Sequence, residues 1–189
     1  MRKLAFVLIA VVCCVSFIGS VYAAELQKGD MVYVRSNLRA DGSTIFWHNM
    51  RIYKNLIPVG TEVKIHSCVG SRISFIVPDG KTTYRIVASA NQWDKFFVKN
   101  KSEIRLDRVS SDTRSKIENC EVVNGMSKEE VYASKGCPAY LAWGKTTERS
   151  SLTDIMQSDK WYYMNNSRGH DVMVTFQNGV VVKTGGFEQ

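Results

Sequence analysis

Residues 125–138 read GMSKEEVYASKGCP, a stretch that specifies a short helix together with both of its ends. Ser127 occupies the N-cap position, where its hydroxyl can accept the N–H of Glu130 while the Glu130 side chain returns to the cap's own N–H. Gly136 can adopt the left-handed conformation that ends a helix, and Pro138 follows where a helix cannot continue. Isolated helices shorter than roughly 12–15 residues barely form in water, so this helix must pack on another element.

The partner of this helix is predicted downstream, in a small sheet with one apolar face. Residues 172–183 read VMVTFQNGVVVK, two β-rich pieces joined at Asn178-Gly179, the strongest short-range hairpin signal. Upstream, Ser110 supplies N-cap chemistry for a further helix that runs to about Cys120, with Ile117 and Cys120 at the i, i+3 spacing of a buried stripe.

This order of motifs resembles the SmpA/OmlA (BamE-like) envelope domain. The motifs are Gly-Met-Ser-Lys-Glu-Glu-Val, then Gly-x-Pro, then Trp-x-Tyr, and finally a Val-x-Phe-x-Asn-Gly-Val hairpin. The resemblance implies that residues 108–189 pack two short helices on a three-stranded antiparallel sheet, the layout also found in β-lactamase-inhibitor-like domains. Such domains are accessory parts of outer-membrane protein assembly, so the resemblance implies a protein-binding role in envelope assembly or integrity.

The preceding part, residues 24–107, is predicted to be a small all-β unit. Its apolar runs are short, rich in β-branched residues and punctuated by Gly and Pro, without a helical period. A long polar-aromatic stretch, residues 35–54, followed by PVGTEVKI at residues 58–65, resembles a bacterial SH3-like barrel. The predicted fold class is therefore α+β, with an SH3-like barrel followed by two helices on a three-stranded sheet.

The SH3-like resemblance makes residues 35–54 a loop, and loops of this kind often carry a binding surface. Trp47, His48 and Tyr53 lie on or beside it and form a candidate ligand site for peptidoglycan or a peptide. Aromatic side chains at the end of a barrel also serve as core, and this alternative stays open.

The first 23 residues are predicted to be a secretory signal peptide. Arg2 and Lys3 precede an apolar run over residues 4–18, and Ala23 ends a segment suited to signal peptidase. Cleavage near Ala23 would place the processed chain in the periplasm, while an uncleaved signal would tether it to the inner membrane.

The five cysteines bear on anchoring and on disulfides. Cys13 and Cys14 lack the small preceding residue that a lipid-acceptor cysteine needs, so we expect no lipid anchor. After processing, Cys68, Cys120 and Cys137 remain, an odd number in an oxidising compartment. The ends of the two predicted helices favour a Cys120–Cys137 disulfide, with three reduced cysteines as the alternative.

The chain carries a formal net charge of +7. Export argues against a nucleic-acid partner, so we expect the basic surface to meet solvent, acidic envelope polymers, anionic headgroups or an acidic protein face.

The sequence offers little catalytic chemistry. The three histidines are widely spaced, and neither a zinc motif nor a phosphate-binding glycine loop occurs, so no catalytic, metal or cofactor site is predicted. Ser134 to Cys137 overlaps the Ser-x-Gly-Cys core of L,D-transpeptidases, but Pro138 follows and the residues fit a helix end better.

The predicted function is therefore a non-enzymatic envelope protein that binds another protein, with a peptidoglycan- or peptide-binding module as the alternative. Aromatic anchors dominate the energetics of protein interfaces. Tyr140, Trp143 and Tyr163 are predicted to be exposed anchors, whereas Trp161 is expected to fill the core between helix and sheet.

Overall fold

The computed structural model describes most of the chain downstream of the predicted signal peptide, and residues 1–23 lie outside the described residues. The described residues are 25–49, 53–78, 80–88, 90–142, 145–164 and 171–185.

Strands dominate the described part of the chain. The strands are β1 (Met31–Val34), β2 (Leu38–Asp41), β3 (Thr44–Phe46), β4 (Asn55–Ile57), β5 (Glu62–Val69), β6 (Arg72–Ile76), β7 (Thr83–Val87), β8 (Phe97–Val98), β9 (Tyr140–Ala142), β10 (Lys145–Thr146), β11 (Lys160–Met164), β12 (Asp171–Gln177) and β13 (Val180–Gly185). The α-helices are α1 (Ser111–Glu118), α2 (Lys128–Lys135) and α3 (Leu152–Gln157), and 3₁₀ turns span Ala90–Lys95, Lys101–Ile104 and Leu106–Arg108.

Eight strands form the first sheet, in the order β4-β2-β3-β7-β6-β5-β1-β8. All neighbours are antiparallel except β3 and β7, which are parallel. The sheet curls, because β4 at its edge connects through a short turn to β5 near the other side. This turn is bonded to the end of β1. Gly60 N donates to Val34 O at 2.8 Å, and Val34 N donates to Thr61 O at 2.9 Å. The alternating side chains that face inward fill one apolar core.

The predicted SH3-like barrel is wrong. Residues 35–54, expected to be a loop, contain the β2–β3 hairpin, in which Leu38, Ala40 and Ile45 are buried and Ala40 pairs with Ile45. A two-residue turn with Gly42 at φ +58° closes the hairpin. Because β3 then pairs in parallel with β7, the hairpin extends a mixed sheet of eight strands.

The second sheet has the strand order β10-β9-β11-β12-β13. Its edge strand β10 is only two residues long, and the other four strands are longer. The predicted three-stranded sheet with two helices is therefore also wrong. The sequence-based prediction missed β9 and α3. The helix α3 begins with its own capping box, in which Ser151 Oγ accepts from Asp154 N at 3.0 Å and Asp154 Oδ2 accepts from Ser151 N at 2.9 Å.

The local signals around α2 and the last hairpin are confirmed. Ser127 Oγ accepts from Glu130 N at 3.2 Å, and Glu130 Oε2 accepts from Ser127 N at 2.7 Å, so the capping box is complete. Asn178 and Gly179 form the turn between β12 and β13. The predicted N-cap of α1 is also present, since Ser110 Oγ accepts from Thr113 N at 3.1 Å.

Gly136 ends α2 at the point where the helix meets the first sheet. Its φ of 76° and ψ of −156° differ from the expected left-handed helical conformation and belong to a region that glycine almost alone adopts. A Cβ at this position would lie 2.8 Å from Asn49 Nδ2 and 3.1 Å from Ser36 Oγ. Close approach as well as backbone conformation therefore requires glycine here.

Replacement of Gly136 by alanine should destabilise the protein more than replacement of Gly179 by alanine. Both glycines have positive φ, but a Cβ at Gly179 would meet no atom within 4 Å. We expect Gly179→Ala to cost about 1 kcal/mol for the backbone alone and Gly136→Ala about 3 kcal/mol. Chemical denaturation of both variants measures the difference, and equal losses would contradict the role given to the Asn49 contact.

Candidate functional site

A line of buried polar side chains joins the two sheets, and we call it the inter-sheet seam. It consists of Asn37, Asn49, Lys95, Tyr132 and Thr147, and each makes or receives a hydrogen bond that crosses between the halves of the chain. Such polar groups are stable when buried only if their hydrogen-bonding atoms are paired. The seam therefore fixes how the two sheets are placed.

Asn37 is the most connected residue of the seam and is 1 % exposed. Its side-chain nitrogen donates to Ile117 O at 2.6 Å and Ser134 O at 3.2 Å, and it also contacts Cys120 Sγ at 3.3 Å. Its side-chain oxygen accepts from Val59 N at 2.9 Å. A single amide thus holds α1, α2 and the β4–β5 turn together.

Asn49 adds a second amide at the end of β3. Its side-chain nitrogen donates to Asn37 O at 2.8 Å and to Lys135 O at 2.6 Å, while its oxygen accepts from Arg39 N at 2.6 Å. The backbone is left-handed here, with φ of 47°, a conformation that asparagine tolerates better than most residues. Its bond to Lys135 O satisfies one of the last carbonyls of α2.

Lys95 brings a positive charge into the other end of the seam. Its ammonium donates to Thr147 O at 2.9 Å and Glu148 O at 3.2 Å, and burial lowers its pKa. Tyr132 OH donates to Lys95 O at 3.0 Å, and burial raises the pKa of this hydroxyl. The Lys95 ammonium therefore depends on backbone carbonyls for its hydrogen bonds.

The Cys137 thiol interacts with the Lys95 ammonium, but its surroundings do not favour the thiolate form that a nucleophile needs. Burial raises the pKa of the Cys137 thiol, although Thr147 and Lys95 act in the opposite direction. Its sulfur is 3.4 Å from Thr147 Oγ1, which itself donates to Pro138 O. Reactive cysteines have lowered pKa values and partial exposure, so this thiol has the character of a structural cysteine.

A groove of about 520 Å³ opens beside the seam, and we call it the inter-sheet groove. Its volume lies within the range of roughly 300–1,000 Å³ that is typical of ligand sites. The lining residues come from both halves of the chain: Arg39, Asn49, Asn119, Cys120, Glu121, Val122, Ser134, Lys135, Tyr163, Met164, Val172, Thr184 and Gly185.

The charged groups of the inter-sheet groove are mainly basic. Arg39 donates to Tyr53 O at 3.1 Å through one guanidinium nitrogen, and Lys135 lies on the wall formed by α2. The acidic lining residue Glu121 forms an ion pair with Lys116 at 3.0 Å. Two basic side chains and one ion-paired carboxylate therefore line the groove.

The predicted aromatic anchors have different environments. Tyr163 is 4 % exposed and donates to Gly136 O at 3.1 Å, so the prediction of an exposed anchor is wrong at this position. Tyr140 is partly buried on β9, and Trp143 lies outside the described residues. Trp161 is completely buried, as predicted, and donates to Ile155 O at 2.9 Å.

The predicted disulfide is not formed in the structure. Cys68, Cys120 and Cys137 are all free cysteines. Cys120 Sγ contacts the Asn37 amide, whereas Cys137 Sγ contacts Thr147, so the two thiols belong to different parts of the seam.

The candidate ligand residues of the first half form an aromatic group. Phe46 stacks on Tyr53 with ring centroids 5.7 Å apart, and the rings of Trp47 and His48 meet edge to face at 4.8 Å. Trp47 packs against the cores of both sheets. Its ring thus has a packing role, and peptidoglycan binding by this segment stays a prediction.

Among the described residues, no group of three or more His, Cys, Asp or Glu side chains could hold a metal ion, and none of the helices is long and apolar enough to cross a membrane.

No family model, curated protein or solved structure matches this chain.

Sequence reasoning missed the residues that build the site. Asn37 and Asn49 fell in a stretch expected to be a loop, where asparagine usually indicates a turn. Lys95 has no sequence signal that distinguishes it from an ordinary surface lysine. The partners of all three are distant in sequence, and only the Asp41-Gly42 hairpin signal could have revealed that Asn37 and Asn49 flank paired strands.

Substitution of Asn37 by alanine should destabilise the protein by about 3 kcal/mol, because Ile117 O and Val59 N lose a buried partner. Asn55→Ala provides the matched control, since Asn55 is exposed and its side chain makes one bond within the described part of the chain, to Gly42 O at 2.9 Å. We expect the control to remain within about 0.5 kcal/mol of the parent in denaturant unfolding. Similar losses in both variants would contradict the role of Asn37.

The protein should become less stable as the pH falls below the ordinary histidine value of 6.5. Burial lowers the pKa of His48, partly offset by Glu148, and its Nδ1 has no hydrogen-bond partner among the described residues. Below pH 6.5 the unfolded chain therefore takes up a proton before the folded chain does, and stability falls until the folded pKa is reached.

His48→Phe keeps the ring contacts and removes the titration. Unfolding free energies measured at about pH 7.5 and about pH 5.5 should differ less in this variant than in the parent. An unchanged pH dependence would show that another group is responsible.

Proposed function

We propose that this protein is a non-enzymatic, exported protein of the cell envelope that binds a segment of another protein in the inter-sheet groove. The observation that carries the proposal is the groove itself, which has the volume of a ligand site and walls from both sheets. Its partner would be an envelope or outer-membrane protein, and its location the periplasm.

The burial and the shifted pKa values of Cys137 and Lys95 support a binding function over a catalytic one. Burial raises the pKa of the Cys137 thiol and lowers that of the Lys95 ammonium. Cys137 is 2 % exposed and Lys95 is 1 % exposed, so a substrate has no access to either group. Lys95 belongs to the seam and Cys137 contacts the seam residue Thr147, so the polar contacts of both groups are made within the protein.

The role in envelope assembly or integrity rests on the sequence. Residues 1–23 have the pattern of an export signal, and the order of motifs from Gly125 onward resembles that of accessory envelope domains. An accessory role needs a stable framework with a recognition surface, and the seam and the groove supply these two parts.

Photocrosslinking tests the proposal in the host of origin. A photoreactive residue at Val122, on the groove wall, should give a discrete adduct with one envelope protein, and the same residue at the exposed Lys81 should not. Arg39→Ala should reduce the yield from Val122 several-fold, because it removes a lining cation.

Mass spectrometry should place the crosslink within one segment of the partner, and a synthetic copy of that segment should compete with the adduct. Equal yields from Val122 and Lys81, or no competition by the segment, would refute the groove as the binding site.

A further inference from the structure

The helix α2 borders a second cavity, of about 340 Å³, which we call the α2 pocket. Its volume lies within the range typical of ligand sites. Glu129, Tyr132 and Ala133 line it and share one face of the helix, because an α-helix completes a turn in about 3.6 residues. Ser134 and Lys135 line the inter-sheet groove from the opposite face. The two cavities have no lining residue in common, so the α2 pocket is a separate site.

Part of the α2 pocket is apolar. Tyr132 and Ala133 are buried and form its floor. Leu152 and Met156, from α3, are half-buried and pack against the core of the second sheet. Ile104, from the 3₁₀ turn that precedes residue 105, is also half-buried and lines the pocket. These side chains offer an apolar surface to a ligand while the core and the helices fix their positions.

Charged side chains of both signs complete the lining of the α2 pocket. Two are cations and two are carboxylates, so their charges cancel: Arg35, Arg105, Glu103 and Glu129. Both ion pairs found among the described residues are formed by other side chains. Opposite charges that line one cavity without pairing are complementary to a ligand that itself carries both signs.

Arg35 is the partly buried cation of the α2 pocket. Its Nε donates to Asp94 O at 2.6 Å, which holds the guanidinium, and its two terminal nitrogens have no hydrogen-bond partner among the described residues. Burial lowers the pKa of Arg35, although Tyr132, Asp94 and Glu103 act in the opposite direction. Neither carboxylate forms an ion pair with Arg35 in the described part of the chain. A ligand carboxylate would supply the missing partner in a geometry that suits a guanidinium.

Glu129 is the acid that remains available to a positively charged group. It is exposed in the first turn of α2, and its side chain makes no hydrogen bond or ion pair with any described residue. Glu103 differs, because one of its oxygens accepts from Asn100 N at 2.9 Å. The ammonium group of a ligand would therefore be held by Glu129.

We propose that the α2 pocket binds a small zwitterion, an α-amino acid with an apolar side chain. Arg35 would hold its carboxylate and Glu129 its ammonium group, while Leu152 and Met156 would contact its side chain. Both signs of charge line one cavity of about 340 Å³, so the charges of the ligand must lie close together, as they do on a single α-carbon. The inference is independent of the proposed function, because the pocket and the inter-sheet groove share no residue.

L-Leucine is the probe, and isothermal titration calorimetry of the purified protein measures its binding. N-acetyl-leucine lacks the ammonium charge and leucine amide lacks the carboxylate, so each should bind at least roughly tenfold more weakly than leucine. Absence of leucine binding, or equal binding of the three compounds, would overturn the inference. Tighter binding of leucyl-leucine than of leucine would show that the pocket takes a peptide, and would overturn it as well.

Two variants assign the charges of the ligand to their partners. Arg35→Gln should weaken leucine binding about tenfold and leave leucine amide unaffected, because the amide has no carboxylate to lose a partner. Glu129→Gln should weaken leucine binding about threefold and leave N-acetyl-leucine unaffected. Arg72→Gln, at an exposed position of β6 in the first sheet, is the matched control and should change none of these affinities.

The comparison of ligands separates recognition from a structural effect. Equal weakening of leucine and leucine amide by Arg35→Gln would show that the substitution disturbs the pocket as a whole, and would overturn the role of Arg35. Circular dichroism establishes that each variant is folded. If Arg35→Gln does not fold, the exposed Glu129→Gln decides the question, and equal weakening of leucine and N-acetyl-leucine in that variant would overturn the inference.

Discussion

The amide of Asn37 is the constraint on which the arrangement of this protein depends. Its nitrogen bonds to backbone carbonyls of α1 and α2, and its oxygen bonds to the turn between β4 and β5. These groups belong to both halves of the chain and the Asn37 side chain is buried, so their pairing is worth more than that of exposed groups. Asn49, which donates to Asn37 O at 2.8 Å, lines the inter-sheet groove and connects it to this amide.

Joining two sheets through buried polar side chains costs desolvation free energy. An apolar contact of the same area would avoid the desolvation of Lys95 and of the two asparagine amides. A hydrogen-bonded seam, however, tolerates one relative position of the halves, because a shift of about 1 Å breaks bonds of 2.6–3.2 Å. A groove with walls from both halves needs such a fixed position in order to keep its shape.

The sequence allowed local structure to be predicted where a short motif determines it. The capping box at Ser127 and Glu130 and the Asn178-Gly179 hairpin depend on neighbours three or fewer residues apart, and the structure contains both. The β2–β3 hairpin was missed because its buried residues, Leu38, Ala40 and Ile45, are separated by charged and polar side chains that suggested a loop. The site could not be predicted, because the side-chain bonds of Asn37 and Lys95 join residues 22 to 97 positions apart.

Trp47 packs against the cores of both sheets, and Asn37 donates to a carbonyl 80 residues later in the chain. A ribosome adds about 5–20 residues per second, so roughly 4–16 s separate the synthesis of Asn37 from that of Ile117. During this interval the first half lacks the second core against which Trp47 packs, and exposed apolar surface of this kind makes incomplete chains prone to aggregation. The same contacts that align the two halves therefore make the nascent protein dependent on prompt completion or on protection until its second half arrives.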